Sequence, residues 1–132
     1  MIGALGLMLC GCGGSSGAQT VVQRDQAAVQ RVIGALRSDV TQQQYVAACA
    51  LLDPKLAARI ATETLGPPNS CASGLAAAST RAPGVFRDLP TGPIQIRGSC
   101  GYVPRPCHGT SCTAIAPIMV CHGQGRWRVV GL

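Results

Sequence analysis

The first clear rhythm along the chain is helical. Val29, Val32, Ile33 and Leu36 recur at three- and four-residue spacing, which predicts a helix over Gln26–Leu36, capped by Asp25 and extended by Val40. Thr41-Gln42-Gln43-Gln44 has the form of a capping box, and the helix it opens would place Tyr45, Ala48, Cys49 and Leu52 on one face. Asp53-Pro54 predicts a third helix, with Asp as the cap and Pro at the first helical position, where a missing N–H does no harm. Leu56, Ala57, Ile60 and Ala61 form its apolar stripe, and Gly66-Pro67-Pro68 ends it. Asn69 or Ser70 then caps a short fourth helix through Cys71, Ala72, Leu75 and Ala76. Thr80 to Pro93 is rich in Pro and Gly and reads as a connection.

From Ile94 the period changes to two. Ile94, Ile96 and Gly98 alternate with Gln95 and Arg97 as in a half-buried strand. A loop follows from Pro104 to Ser111, then a strand over Ala114 to Cys121, in which Pro117 demands an edge position or a bulge. His122-Gly123-Gln124-Gly125 makes a turn into a last strand at Trp127-Arg128-Val129-Val130. Helices followed by an antiparallel meander define the α+β class. The expected fold is a set of N-terminal helices packed on a small curved antiparallel sheet, stapled by disulfides, in one domain over residues 21–132.

The first residues have a different character. Ile2 to Leu9 form a short apolar run, far below the roughly 20 residues that span a bilayer, and match the apolar core of a secretory signal. No Lys or Arg precedes the run, which points to a start upstream of Met1. Leu9-Cys10-Gly11-Cys12 resembles the lipobox of bacterial lipoproteins, with Leu at −3, a small residue at −1 and the thiol at +1. Cys10 fits less well because Leu9 before it is bulky. The resemblance implies a signal peptide over residues 1–11, a diacylglyceryl cysteine at Cys12 carrying palmitate-type chains, and a flexible Gly/Ser-rich tether over residues 12–20. Two or more acyl chains hold a protein firmly where one does not. The expected location is the extracytoplasmic face of the cell membrane.

The 132 residues hold eight cysteines, an unusual density that points to an oxidising compartment or a metal site. Setting Cys10 and Cys12 aside leaves Cys49, Cys71, Cys100, Cys107, Cys112 and Cys121 as disulfide candidates, for which fifteen pairings are open. The simplest arrangement keeps partners within each half of the chain: Cys49–Cys71 among the helices, and Cys107–Cys112 with Cys100–Cys121 among the strands. The rival reading is a zinc-stabilised module using these strand-half cysteines with His108 and His122. An exported chain favours bridges over thiolates, so no metal or other cofactor is expected and both histidines read as surface loop residues.

Charge and aromatic content narrow the partners. Eleven basic residues against five acids give a net charge of +6, spread from Arg24 to Arg128 without a cluster. This excludes a nucleic-acid stripe and leaves a solvated basic surface, with attraction to an anionic leaflet or acidic wall polymer as the functional alternative. Aromatics are only 3% of the chain, so Tyr45, Phe86 and Trp127 are the candidates for an apolar pocket, with core packing as their ordinary role. The acids read as caps (Asp25, Asp53), as solvated residues near helix ends (Asp39, Glu63) or as a loop residue (Asp88). No nucleophile triad, phosphate loop or paired-carboxylate motif is present, so no catalytic residue is assigned.

Three segments carry a family resemblance. Ala47 to Ala61 (AACALLDPKLAARIA), Ser70 to Leu75 (SCASGL) and the terminal GRWRVVGL resemble a group of actinobacterial lipoproteins and secreted domains in the nuclear-transport-factor-two-like superfamily, the cone-shaped cystatin-like fold. The resemblance covers roughly Val21 to Leu132. It implies a bridge between the Ala-Cys and Ser-Cys helices, here Cys49 and Cys71, and a curved sheet closed by a Gly-x-Trp-x-Val strand, here Gly125, Trp127 and Val129. Cys100, Cys107, Cys112 and Cys121 are additional to that pattern. Superfamily members range from isomerases and hydratases to pure binding domains. The expected function is a non-catalytic binding or accessory module of the cell envelope, not an enzyme. Its partner would be the membrane through the lipid, with an envelope protein or a small apolar ligand as a further partner. The alternative is a small cone-fold enzyme, which requires an acid or histidine buried in a cavity.

Overall fold

The structure is a computed structural model and describes residues 17–63, 70–90, 92–105 and 116–132. Helix α1 spans Gly17–Thr41. Its Val29, Ile33, Leu36 and Val40 are buried, and these residues make the helical rhythm in the sequence. Toward its start the helix continues through Val21 and Val22, which are 49% and 42% exposed. With both valines exposed, no buried stripe records the extra turns, although Gln23, Arg24, Ala27 and Ala28 are all good helix formers. Asp25 therefore lies inside α1 instead of capping it. The tether expected over residues 12–20 is helical from Gly17 onward, and residues 12–16 lie outside the described residues.

The end of α1 departs from expectation for a local reason. Gln43 takes a left-handed conformation (φ 61°). Its N–H donates to the Val40 carbonyl at 3.1 Å, and the Gln44 N–H donates to the Asp39 carbonyl at 2.7 Å. These two bonds are the Schellman pattern that closes a helix. The Thr41 hydroxyl donates to the Arg37 carbonyl at 2.7 Å, so Thr41 finishes α1 and does not cap the next helix. Helix α2 (Tyr45–Ala50) starts from Gln44 with no side-chain cap.

The next two starts follow the sequence. Asp53 accepts from the Lys55 N–H at 2.9 Å and caps α3 (Pro54–Thr62), with Pro54 at its first turn. Ser70 and Ser73 form a reciprocal capping box on α4 (Cys71–Arg81). The stretch from Thr80 to Pro93 is more than a connection. It holds the end of α4 and a short helix α5 (Pro83–Arg87), which buries Phe86.

The remaining residues form a four-stranded antiparallel sheet in the order β1-β2-β3-β4, with β1 Gln95–Arg97, β2 Cys100–Val103, β3 Ile118–Gly123 and β4 Arg126–Gly131. The sheet is an open meander, so the α+β class and the disulfide stapling stand as expected. Strand β2 falls where the sequence showed no alternation of its own. Gly98 is not part of a strand face but a turn residue with φ 59°, folding β1 back onto β2. Pro117 immediately precedes β3, so it removes no ladder hydrogen bond from this central strand. A register shift lies between Met119 and Val120.

One face of the sheet meets the helices. Gly101 pairs with Val120, Val103 with Ile118, and Val120 with Val129, and all five are buried. With the α1 stripe, Ala48, Leu52, Leu56, Leu75, Phe86, Leu89 and Ile94 they form one core. The Gln26 side-chain amide donates to the Ile94 carbonyl at 2.9 Å and ties α1 to the start of β1. The outer edge of β4 is occupied by the α2–α3 linker. Val129 N–H donates to the Leu51 carbonyl at 2.9 Å and Asp53 N–H donates to the Val129 carbonyl at 2.8 Å, making a parallel bridge at Leu52. An edge strand left bare is a template for pairing with other chains. Here the linker takes up those groups at Val129.

Gly101 leaves no room for a side chain between β2 and α1. A Cβ built on it would lie 2.7 Å from Val29 Cγ2 and 3.3 Å from Ile94 Cγ2. Gly101→Ala is therefore expected to destabilise the domain by about 1–3 kcal/mol, since Val29 is fully buried and has nowhere to move. Chemical denaturation of wild type and variant measures it, and an unchanged midpoint would refute this packing.

Candidate functional site

Two bridges are present among the described residues: Cys49–Cys71, joining α2 to α4, and Cys100–Cys121, joining directly paired positions of β2 and β3. Cys12, Cys107, His108 and Cys112 lie outside the described residues. Cys100 and Cys121, bonded to each other, are not thiolates that a zinc ion can use. No group of three or more His, Cys, Asp or Glu side chains that could hold a metal ion occurs among the described residues.

The three rings expected to share a pocket are dispersed. Tyr45 is half-buried, and its hydroxyl lies 3.1 Å from Ser79 Oγ in a hydrogen bond that joins the same two helices, α2 and α4, as the first disulfide. Phe86 belongs to the core and to the wall of a cleft of about 310 Å³, lined also by Leu56, Ile60, Leu132, Arg59 and Arg81. Trp127 lines a different cleft. The acids occupy structural or surface positions. Asp53 caps α3, Glu63 closes it and Asp88 lies 3.6 Å from Arg87 in an exposed ion pair. No charged or polar side chain among the described residues is buried.

The cleft at Trp127 gathers the most varied chemistry. Its volume is about 500 Å³, and it is lined by Arg24, Asp25, Ala28, Arg31, Ser99, His122 and Trp127. The geometry follows from the fold. On β3 the inward row Ile118, Val120 continues to His122, and on β4 Val129 is preceded on the same face by Trp127. These two residues pair across the strands, with ring centroids 5.4 Å apart and planes at 60°. Gln124 (φ 51°) and Gly125 (φ 79°) make the tight turn that sets this register. Ser99 is held beside them, because the His122 N–H donates to the Ser99 carbonyl at 2.7 Å. The Cys100–Cys121 bridge joins the neighbours of both residues.

Helix α1 supplies the opposite wall. Arg24, Ala28 and Arg31 fall at four- and three-residue spacing, hence on one face, with the two arginines about two helical turns apart. Among the described residues neither guanidinium has a hydrogen-bond or ion-pair partner. Two guanidiniums, an imidazole, an indole and a hydroxyl thus face one opening, with Asp25 as the carboxylate among them. This set can receive an anion at the arginines and a flat or apolar group against the indole.

His122 is accordingly a strand residue facing a cleft, not a loop residue. A four-residue turn from His122 to Gly125 hides this site, because it takes His122 off the strand. A two-residue turn at Gln124-Gly125 would have paired His122 with Trp127, and the Arg24–Ala28–Arg31 stripe was visible as polar positions at helical spacing. The fold defines the class as an α+β domain of five helices on an open four-stranded meander, counted among the described residues. No protein-family model, curated protein or solved structure matches the chain.

Proposed function

We propose that this chain is an exported lipoprotein, anchored through Cys12 to the extracytoplasmic face of a cell membrane, whose domain is a non-catalytic binding or accessory module of the envelope. The observation that carries this reading is the use of the cysteines. Cys49–Cys71 and Cys100–Cys121 are bridged, which suits an oxidising compartment, while Cys12 stands in a lipobox-like setting. The helices-then-meander order, with Gly125, Trp127 and Val129 at the last hairpin, supports kinship with the nuclear-transport-factor-two-like domains. The cleft at Trp127 is the binding site in this reading. Its acid, Asp25, is half-buried on the wall of an open cleft, unlike the enclosed general acid or base that cone-fold enzymes use.

Intact mass on protein purified from the native host's membranes tests the proposal. The expected result is a mature chain starting at Cys12 with added diacylglyceryl mass, two hydrogens lighter for each bridge before reduction. An unlipidated chain with free thiols would overturn both the anchor and the compartment.

A further inference from the structure

We infer that the cleft between α1 and the β3–β4 hairpin binds the phosphate headgroups of anionic phospholipids in the leaflet that holds the anchor, so that the domain lies on the membrane by this face. The inference rests on the anchoring proposed above and deepens it. Gly17, where α1 begins, is five residue steps after Cys12. A chain spans at most about 3.6 Å per residue, so the start of α1 stays within about 18 Å of the lipidated sulfur. Arg24 lies two turns further along, and Val21, 49% exposed, shares its helical face with Arg24, Ala28 and Arg31. The part of α1 that follows the anchor thus presents an exposed valine and two guanidiniums with no partner among the described residues, and the indole of Trp127 lines the same cleft.

That combination matches the membrane boundary. Arginine forks suit phosphate oxygens, indoles favour the headgroup level, and basic side chains are drawn to anionic leaflets. Ser99 and His122 add polar atoms to the lining of the cleft, and Asp25 opposes anions there.

Trp127 is the chain's only tryptophan, so its emission reports on this cleft. The experiment uses the full chain with Cys12→Ser, which carries no lipid, titrated with phosphatidylglycerol vesicles, phosphatidylcholine vesicles and soluble glycerol 3-phosphate. The apolar segment at residues 2–9 meets both vesicle types alike, so the difference between them reads the headgroup. The expected result is half-saturation at a lipid concentration at least tenfold lower on phosphatidylglycerol than on phosphatidylcholine. Arg24→Gln with Arg31→Gln should weaken the anionic-vesicle binding roughly 30-fold, on the usual contribution of a basic residue near such a surface. The pair Arg59→Gln with Arg81→Gln removes the same charge at the other cleft and should change it less than threefold. Circular dichroism confirms that each variant is folded.

Equal binding to both vesicle types, or equal losses from the two arginine pairs, would overturn the assignment. So would a response to soluble glycerol 3-phosphate at the same phosphate concentration as the vesicles, which would make the ligand a free phosphate ester. Because the tested chain is unlipidated, failure here leaves the anchoring reading to the mass measurement.

Discussion

With both described bridges removed, by Cys49→Ala/Cys71→Ala combined with Cys100→Ala/Cys121→Ala, the domain is expected to lose about 6 kcal/mol of stability. The bridges close loops of 22 and 21 residues. In the chain-entropy treatment each cross-link of that length withholds about 3 kcal/mol of disorder from the unfolded chain. A domain of this size is stable by only about 5–15 kcal/mol in all, so the combined variant should be unfolded or close to it without denaturant. The two losses should be nearly additive, because one bridge lies among the helices and the other between β2 and β3, with no shared partner. The Cys49–Cys71 variant retains the Tyr45–Ser79 hydrogen bond between the same two helices, so it should stay folded alone. Urea denaturation followed by circular dichroism measures each loss. A combined loss below about 2 kcal/mol would show that the helical and strand cores hold without staples.

The second large effect is expected in the core. Leu36 is completely buried at the centre of the α1 stripe. Leu36→Ala removes apolar surface and leaves a cavity beside Ile33 and Val40, which are themselves buried in the same core, at a cost of about 2–5 kcal/mol. Val46 provides the contrast. It is an apolar residue on a neighbouring helix, but it is 79% exposed, so Val46→Ala should shift stability by less than about 0.5 kcal/mol. Thermal or urea unfolding of the two variants tests the assignment of faces. Comparable losses would mean that α1 or α2 is rotated from its described position.

Much of this fold was legible because burial writes itself into spacing. Val29, Ile33, Leu36 and Val40 face the sheet, and their period alone located α1. Asp53-Pro54 and Ser70 carry helix-start chemistry that works within a few residues of chain, and both act as the sequence suggests. Where the reading failed, the missing information was not local. Residues 20–24 of α1 are exposed, so only propensity marked them. Strand β2 contains Gly101, whose buried place reflects the lack of a side chain beneath Val29 and not hydrophobicity. Thr41 was a sound cap candidate, displaced because the left-handed Gln43 let α1 run on and close with its own backbone bonds.

The sequence by itself determined the α+β class and the placing of helices before strands, because short-range periodicity and caps are enough for both. It left fifteen cysteine pairings open, and Cys49–Cys71 with Cys100–Cys121, the simplest within-half arrangement, is decided by which elements pack together. Only the tertiary structure decided that Phe86 and Trp127 belong to separate clefts, that Leu51 to Asp53 cover the edge of β4, and that Arg24 and Arg31 stand opposite His122 and Trp127. These residues are brought together across nearly a hundred positions of sequence by the packing of α1 over the sheet. No local pattern records a neighbour that distant, because the free energy that selects it is the burial of the shared core.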